Sequence, residues 1–575
     1  MARERPVHDL IVIGAGINGA AIAREAALGG CSVLVLEQTD IACGTTSAST
    51  RLIHGGLRYL EHGELGLVRE SLREREGLLA SAPHLVEPLR LYLPIYRGAR
   101  RPRWQVRVGL TLYDLLSLGK SVPSHEMLSR AELLRRLPGL NERDLVGGAA
   151  YFDAQVRFPE RLVVENLLDA VSHGAHVMTH TCATTITVEH GEVRGVEWRG
   201  SDGSTGAARA RAVVNAAGPW VDEVAEGIAG GNVRRRRLVG GTKGSHLVVE
   251  SFAGAPEAAI YSEAASDGRP FFVVPWNGMF LIGTTDVRYD GDPAVAAIDD
   301  DEFAYLVAET ERLFPASGGM AGRVLYTQAG IRALPYAPGT AEGAITRRHL
   351  IRSHRGARGM YSIVGGKLTT HRALAREVIE RLRRDGALGR SEEGGGRGPM
   401  PAATAAHAGP RRLPGALDEA DRAGLVAELT PRFGARRAVR LCATYGRIAE
   451  RLMAAVTERP ELAESAAEDS GLLRVELVHA IEVEYAQTLI DILQRRTMLG
   501  LRADFGLTAA TAAARALVEL GVWDSARAAH EVDGYVRYAA AHRARGASGY
   551  RDGGSGVDAG QGDPREWVPG RGIRR

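Results

Sequence analysis

The chain is poor in several residues whose abundance would mark a class of protein. Only four cysteines occur in 575 residues, Cys31, Cys43, Cys182 and Cys442, with no CxxC pair and no histidine clustered with them. That spacing excludes a cysteine-rich zinc site and fits a reducing compartment. No run of about 18 uninterrupted apolar residues occurs, so no spanning helix is expected. The opening MARERPVHDL carries no apolar stretch of the secretory kind. Net charge is only +3, too small to make nucleic acid the main partner. Lysine is almost missing: Lys120, Lys243 and Lys367 are the only lysines among 72 basic residues. The plain reading is a GC-rich coding bias, and it makes each surviving lysine a candidate for a place where a guanidinium fork will not serve. What remains is an ordinary globular mix, 45% hydrophobic and 25% charged, which rules out a disordered, collagen-like or disulfide-scaffold chain. The length suits about three or four folding units.

The apolar run DLIVI (9–13), the alanine-rich helical segment after it and the run SVLVLE ending at Glu37 read as strand, helix, strand. Charged helical patterns follow at 58–85, and a basic amphipathic one at 97–137. Strand patterns return at 176–198, with a turn at His190-Gly191, and again at RAVVNAAG and through 235–290. YSIVGG then runs into the helix pattern KLTTHRALAREVIERLRR. This alternation predicts one domain inserted into another. Residues 386–412 read as a Gly/Pro/Ala linker, 413–545 as helical throughout, and 546–575 as a disordered tail.

Gly14-x-Gly16-x-x-Gly19 follows the first strand and opens the helix. The first glycine permits a tight turn, the second lets backbone approach a pyrophosphate, and the third lets helix pack closely on strand. Glu37 ends the second strand, 23 residues after Gly14, where a carboxylate accepts from ribose hydroxyls and repels a 2′-phosphate. FAD and NAD share this fingerprint. The loop at 44–63, with Thr45, Thr46, Ser47, Ser49 and Thr50 before Gly55-Gly56, lays hydroxyls and backbone against a second extended ligand portion, where an NAD domain continues with another plain strand–helix unit.

The segment DLIVIGAGINGAAIAREAALGGCSVLVLE…TTSASTRLIHGGLRYLEHGE resembles the FAD-dependent glycerol-3-phosphate dehydrogenases, within the D-amino-acid-oxidase-like flavoproteins. VVNAAGPWVD (213–222), KGSHLVV (243–249), PWNGMFLIGTTDVRYDGDP (275–293), GIRAL (330–334), AITR (344–347), VGGKLTTHR (364–372) and RRTMLGL (495–501) continue the likeness over about residues 8–540. The resemblance implies an α/β fold: a Rossmann-like FAD domain (7–80, 150–235 and 345–385), an inserted β-rich substrate or cap domain (81–149 and 236–344), and an all-α C-terminal domain (413–545). It implies non-covalent FAD held by Gly14, Gly16, Gly19, Glu37, Thr45, Thr46, Ser47, Ser49, His54, Gly55, Gly56, Ala217, Gly218, Gly366, Lys367, Leu368 and Thr369.

The implied substrate is sn-glycerol 3-phosphate, and oxidation at C2 needs a phosphate anchor and an acceptor for the hydroxyl proton. The resemblance places Arg58 and Arg332 on the phosphate, whose geometry suits a planar fork, with Tyr59, Lys367 and Thr370 beside them. Thr369 and Thr370 also read as helix caps. His246 is the favoured base, His54 the second choice, and an arginine that merely orients the alcohol is the third. Lys243 is the second motif lysine; Lys120 reads as solvated. Asp286 has no assigned chemistry and a turn role serves equally well. Residues 97–120 read either as a helix packed on its own domain or as a basic membrane-surface segment. The latter fits a membrane quinone acceptor and a cytoplasmic enzyme held on the inner face of the membrane. No metal and no nucleic acid are expected, and a homodimer stays open. The rivals are an oxygen-reducing oxidase of the same family and a flavin-binding regulator without turnover.

Overall fold

The computed structural model describes residues 7–230, 236–388 and 410–543. The first apolar run forms strand β1 (Val7–Ile13), followed by helix α1 (Ile17–Leu28) and strand β2 (Val33–Leu36). β1 pairs in parallel with β2 on one side and with Thr205–Asn215 on the other, and Ala357–Val364 adds beyond the latter. Every residue of β2 is buried, as expected of a parallel strand covered on both faces. One face packs against α1 through small residues such as Ala20, Ala23 and Ala27, backed by the helices Pro159–Ser172 and His371–Arg384. The hairpin expected at His190-Gly191 forms between Thr181–Glu189 and Glu192–Gly200. Both turn residues take positive φ, 51° and 78°, which matches the twist of the flanking strands.

A second, mostly antiparallel sheet carries β3 (Leu52–Ile53), β4 (Val86–Tyr96), β5 (Glu126–Ser129) and β6 (Leu145–Val156), together with strands drawn from 239–335. β6 pairs with β4 over its whole length, so the boundary expected at 149/150 falls inside one strand, and β3 joins this sheet from within the block expected to be FAD domain. An apolar run shows burial but not which sheet it will complete. Helices α2 (Leu65–Ser81) and α3 (Arg103–Leu116) pack beside this second sheet.

Residues 419–542 are largely helical, with one short strand pair at 465–473. Helices in this region share a continuous apolar core with the first sheet's helices, Leu429, Phe433, Leu441 and Leu452 meeting the cluster that holds Leu162, Val163 and Leu374. The C-terminal region is therefore docked, not tethered. Of the expected linker only 386–388 and 410–412 are described, and the expected tail lies outside the described residues. Among the described residues no helix is long and apolar enough to cross a membrane.

Candidate active site

A cavity of about 700 Å³ opens between the two sheets, in the range of cofactor pockets. Its first wall is the Gly14–Gly19 turn. A Cβ on Gly14 (φ +102°) would lie 2.8 Å from Ala216 O, and one on Gly19 only 1.9 Å from Gly14 O, so both glycines serve contacts within the fold. A Cβ on Gly16 would meet nothing nearer than Thr46 Oγ1 at 3.7 Å, so the protein itself places no demand for glycine there. That leaves open space before the N-terminus of α1, where Thr46 Oγ1 accepts from the Ile17 N–H at 3.3 Å. Glu37 accepts from the N–H groups of Ala15 (2.7 Å) and Thr39 (3.0 Å), and burial pushes its carboxyl above the ordinary carboxylate range.

Most of the residues expected around a flavin share this cavity: Thr45, Thr46, Ser49, His54, Gly56, Ala217, Gly218, Gly366, Lys367, Leu368 and Thr369. Gly19 lies beneath it. Ser47 and Gly55 do not line it. The Ser47 hydroxyl donates to Ala42 O at 2.7 Å, closing its own turn. Gly55 donates its N–H to the Tyr113 hydroxyl at 2.8 Å, and a Cβ there would sit 2.4 Å from that oxygen, so it is glycine to admit α3. Thr370 is buried behind the wall, neither lining the cavity nor capping the following helix with its hydroxyl. Thr369 instead accepts from the His54 N–H at 3.1 Å, locking two walls together.

The opposite wall is strongly cationic. Arg58, Arg269, Arg332, Arg347 and Lys367 all line it. Asp286, which the sequence left without a role, organises three of them. Its carboxylate takes Arg332 at 3.0 Å on one oxygen and Arg347 at 2.9 Å on the other, and its carbonyl accepts from Arg269 at 2.5 Å. Against the upward pull of burial, Arg332 and Arg347 hold the Asp286 carboxyl below its ordinary range. Arg332 is further fixed by Thr284 Oγ1 at 2.9 Å and Thr285 O at 3.1 Å. Sequence reading missed Arg347, although it sits in the AITR motif, and Arg269, for which no local signal exists.

His246 stands beside this cluster with Nε2 2.9 Å from the Thr50 hydroxyl and no partner for Nδ1. Burial, aided by Arg332 and Arg51, lowers its pKa to about 3, so the imidazole is neutral. Burial also lowers His54, against the pull of Asp153. Lys367 Nζ lies 3.8 Å from the Tyr59 ring centroid and has no hydrogen-bond partner, and burial lowers it to about 7. Asn18 Oδ1, near the Gly365-Gly366 turn, is also unpaired. These unpartnered groups, with the open face of Gly16, fit a bound dinucleotide and a polar substrate.

Residues 9–381 match the family model described as FAD dependent oxidoreductase, and 409–528 match that of the C-terminal domain of alpha-glycerophosphate oxidase. The chain belongs to the FAD-dependent oxidoreductase family. It is 40% identical to a glycerol-3-phosphate dehydrogenase of Synechocystis over 552 residues, covering 93% of this chain and 97% of the relative. A D-erythritol 1-phosphate dehydrogenase of Brucella abortus is 39% identical over 66% of this chain and 74% of its own. The crystal structure of a glycerol-3-phosphate dehydrogenase from Bacillus halodurans complexed with FAD superposes with a TM-score of 0.72 at 27% identity, covering 94% of this chain and 96% of that one.

Outside the cavity, two lysines of this FAD-dependent oxidoreductase are already engaged. Lys243 is tied to Asp299 and Glu302, both at 2.9 Å, and steadies the start of the helix Asp300–Leu313. Lys120 is not solvated as expected but paired to Asp114, which also holds His125. Lys367 alone of the three faces the cavity.

Helix α3 buries Val106, Leu110 and Tyr113 on one face, the i, i+4, i+7 stripe of a packed helix. Trp104, Val108 and Leu115 nevertheless project from it, and Leu118 beyond its end is 83% exposed. Arg97, Arg100, Arg103 and Arg107 are exposed, whereas Arg101 is drawn inward to Glu61 and Glu263. Beside α3 lies a second cavity of about 590 Å³, walled by Leu60, Leu93, Val106 and Leu112, and sharing Leu57, Arg58 and Tyr261 with the first.

Proposed function

We propose that the protein oxidises sn-glycerol 3-phosphate to dihydroxyacetone phosphate and passes the electrons to a membrane quinone. The observation that carries this reading is the Asp286-bridged pair Arg332–Arg347, set beside a neutral buried imidazole at one end of the dinucleotide cavity. A dianionic phosphate suits such a cluster, because Asp286 has already oriented two guanidinium groups whose remaining N–H groups can donate charge-assisted bonds. Arg58 lines the same cavity. With the phosphate anchored, the C2 hydroxyl falls to His246, which takes the proton, while Thr50 holds the ring. Lys367 in its charged form steadies negative charge on the substrate oxygen. Bound FAD, held by the Gly14–Gly19 turn and Glu37, supplies the two-electron acceptor for the hydrogen that leaves C2. Glycerol 3-phosphate is preferred to a longer polyol phosphate because the likeness to the Synechocystis glycerol-3-phosphate dehydrogenase runs through the C-terminal region and covers nearly all of both chains.

The quinone half of the reading rests on the second cavity and on α3. A chamber with apolar walls edged by Arg97, Arg100 and Arg101, touching the substrate wall below a helix that presents Trp104 and Val108 among exposed arginines, suits an acceptor dissolved in an anionic bilayer. The enzyme would then sit peripherally on the inner face of the membrane. Anaerobic addition of glycerol 3-phosphate should bleach the flavin absorption. A short-chain quinone should restore it faster than air-saturated buffer. Faster recovery in air, with stoichiometric hydrogen peroxide, would make the protein an oxidase. No bleaching by glycerol 3-phosphate, but bleaching by erythritol phosphate, would move the substrate.

A further inference from the structure

We propose that the C-terminal helical region acts as a clamp on the FAD-binding loop, with Arg495, Arg496 and Asp40 as positioning residues. Asp40 follows Glu37 in the loop that leaves β2 and is 1% exposed. All of its partners named below come from the wide helical turn Asp491–Arg496, more than 450 residues away. Arg496 closes on it with Nη2 at 2.6 Å from one oxygen and Nη1 at 3.0 Å from the other, and Arg495 Nε adds a third bond at 2.5 Å. The remaining Arg495 arm reaches Asp491 at 2.8 Å, and Asp491 pairs with His180 at 2.8 Å. Asp40, His180 and Asp491 have the spacing of a metal site, but the two guanidinium groups already neutralise both carboxylates, so the cluster is an ion network complete in itself.

This network continues into the cradle. The His180 N–H donates to Thr39 O at 2.6 Å and the Thr181 N–H to Glu37 O at 2.7 Å. Two residues past Asp40, the Ala42 N–H donates to Ala15 O at 3.0 Å, and the Ala15 N–H in turn donates to the Glu37 carboxylate at 2.7 Å. Glu37 and the turn between Gly14 and Gly16 are thus held from behind by a loop whose Asp40 carboxylate is gripped by the C-terminal region. Two forked cations on one buried carboxylate leave it no alternative position. The arrangement couples docking of the C-terminal region to FAD affinity, and by linkage FAD binding must tighten the docked turn. The inference rests on FAD binding at the cradle and not on the identity of the substrate or acceptor.

The test measures the FAD dissociation constant of the full chain by quenching of flavin fluorescence. Asp40→Asn keeps the shape and removes the charge; Arg496→Lys keeps the charge and removes the fork. Each should weaken FAD binding by about 5- to 150-fold, the range of couplings between linked sites. Glu165→Gln is the control. Glu165 is equally buried at the same interface, where it holds His84 and the Gly415 N–H, but it does not touch the loop. It should lower the melting temperature and leave FAD affinity within twofold of wild type. Hydrogen exchange on the wild-type chain gives a reading free of folding defects: adding FAD should slow exchange across 487–497. Unchanged FAD affinity in the folded variants, equal weakening by Glu165→Gln, or unchanged exchange at 487–497 would each overturn the clamp.

Discussion

Lys367 is charged at a cost that the fold does not recover, and replacing it should make that cost visible. Its Nζ has only the face of Tyr59 and distant carboxylates for company, and burial moves its pKa from the ordinary 10.5 to about 7. At about 1.36 kcal/mol per pKa unit, the difference of about 3.5 units amounts to about 5 kcal/mol at most. The cavity is open to solvent and the ring contact returns about 0.5–2 kcal/mol, so about 3 kcal/mol is the working figure. The pH dependence has a definite sign. Below pH 7 the lysine is protonated in both folded and unfolded chains and the whole penalty falls on the folded state. Between 7 and 10.5 the folded state sheds the proton, and the penalty shrinks to about 2 kcal/mol at pH 9 before vanishing. Lys367→Met removes the charge at similar length. Urea unfolding of the FAD-depleted protein, followed by tryptophan fluorescence at pH 6 and pH 9, should show the variant more resistant at pH 6 and the gap narrowed to about 2 kcal/mol at pH 9. In the loaded enzyme the same change, and Lys367→Arg, should slow anaerobic flavin reduction by about ten- to a thousand-fold, with Lys120→Arg as the neutral control. A variant no more stable than wild type at pH 6, or a gap that ignores pH, would show that Lys367 is compensated and refute the argument. Such a gain in stability against a loss of turnover is the usual signature of a strained active-site charge.

Arg332→Ala should cut kcat/KM for glycerol 3-phosphate by about 10²- to 10⁴-fold, from two charge-assisted bonds at about 1.5–3 kcal/mol each, with FAD content unchanged; equal turnover of glycerol and glycerol 3-phosphate by the wild type would contradict the phosphate anchor. Asp286→Asn should raise KM about tenfold, about 1.4 kcal/mol, by freeing Arg332 and Arg347 to adopt other rotamers, and steady-state kinetics that leave KM untouched would remove it from the site. Arg100→Glu with Arg103→Glu should shift the protein from anionic vesicles to the supernatant at low salt, at about 1 kcal/mol per residue, whereas Arg101→Gln should leave sedimentation unchanged and lower the melting temperature.

The legible parts of the site are those made within a few tens of residues. Gly14, Gly16, Gly19 and Glu37 belong to one strand–helix–strand unit, whose backbone sterics act locally, so their spacing alone places them. The adjacent pair Gly55-Gly56 marks where this ends. Both glycines were assigned to the cofactor, yet Gly56 lines the cavity and Gly55 faces the Tyr113 hydroxyl. Neighbours in an irregular segment meet different surroundings, and nothing local says what waits there. Thr370 and Ser47 stand outside the cavity lining for a related reason: a hydroxyl is equally at home on a ligand, a cap or a carbonyl. Asp286 could not be interpreted alone because Arg332 and Arg347 are 46 and 61 residues away.

Sequence by itself determined the dinucleotide unit, the two alternating chemistries of strand-rich and helix-rich blocks, and the scarcity that made Lys367 conspicuous. Tertiary structure alone decided which charges are spent and which are free. Lys243, Lys120 and Arg101 meet carboxylates and become structural. Lys367 meets an aromatic face, and Arg332 and Arg347 are aimed by one shared acid. Likewise the C-terminal region became part of the cofactor site only when folding brought Arg495 and Arg496 onto Asp40. The division follows from range. Backbone sterics and hydrophobic period act between neighbours in the chain, whereas the energy of a charge depends on the solvent it has lost and the partner it has met, and both are settled by packing.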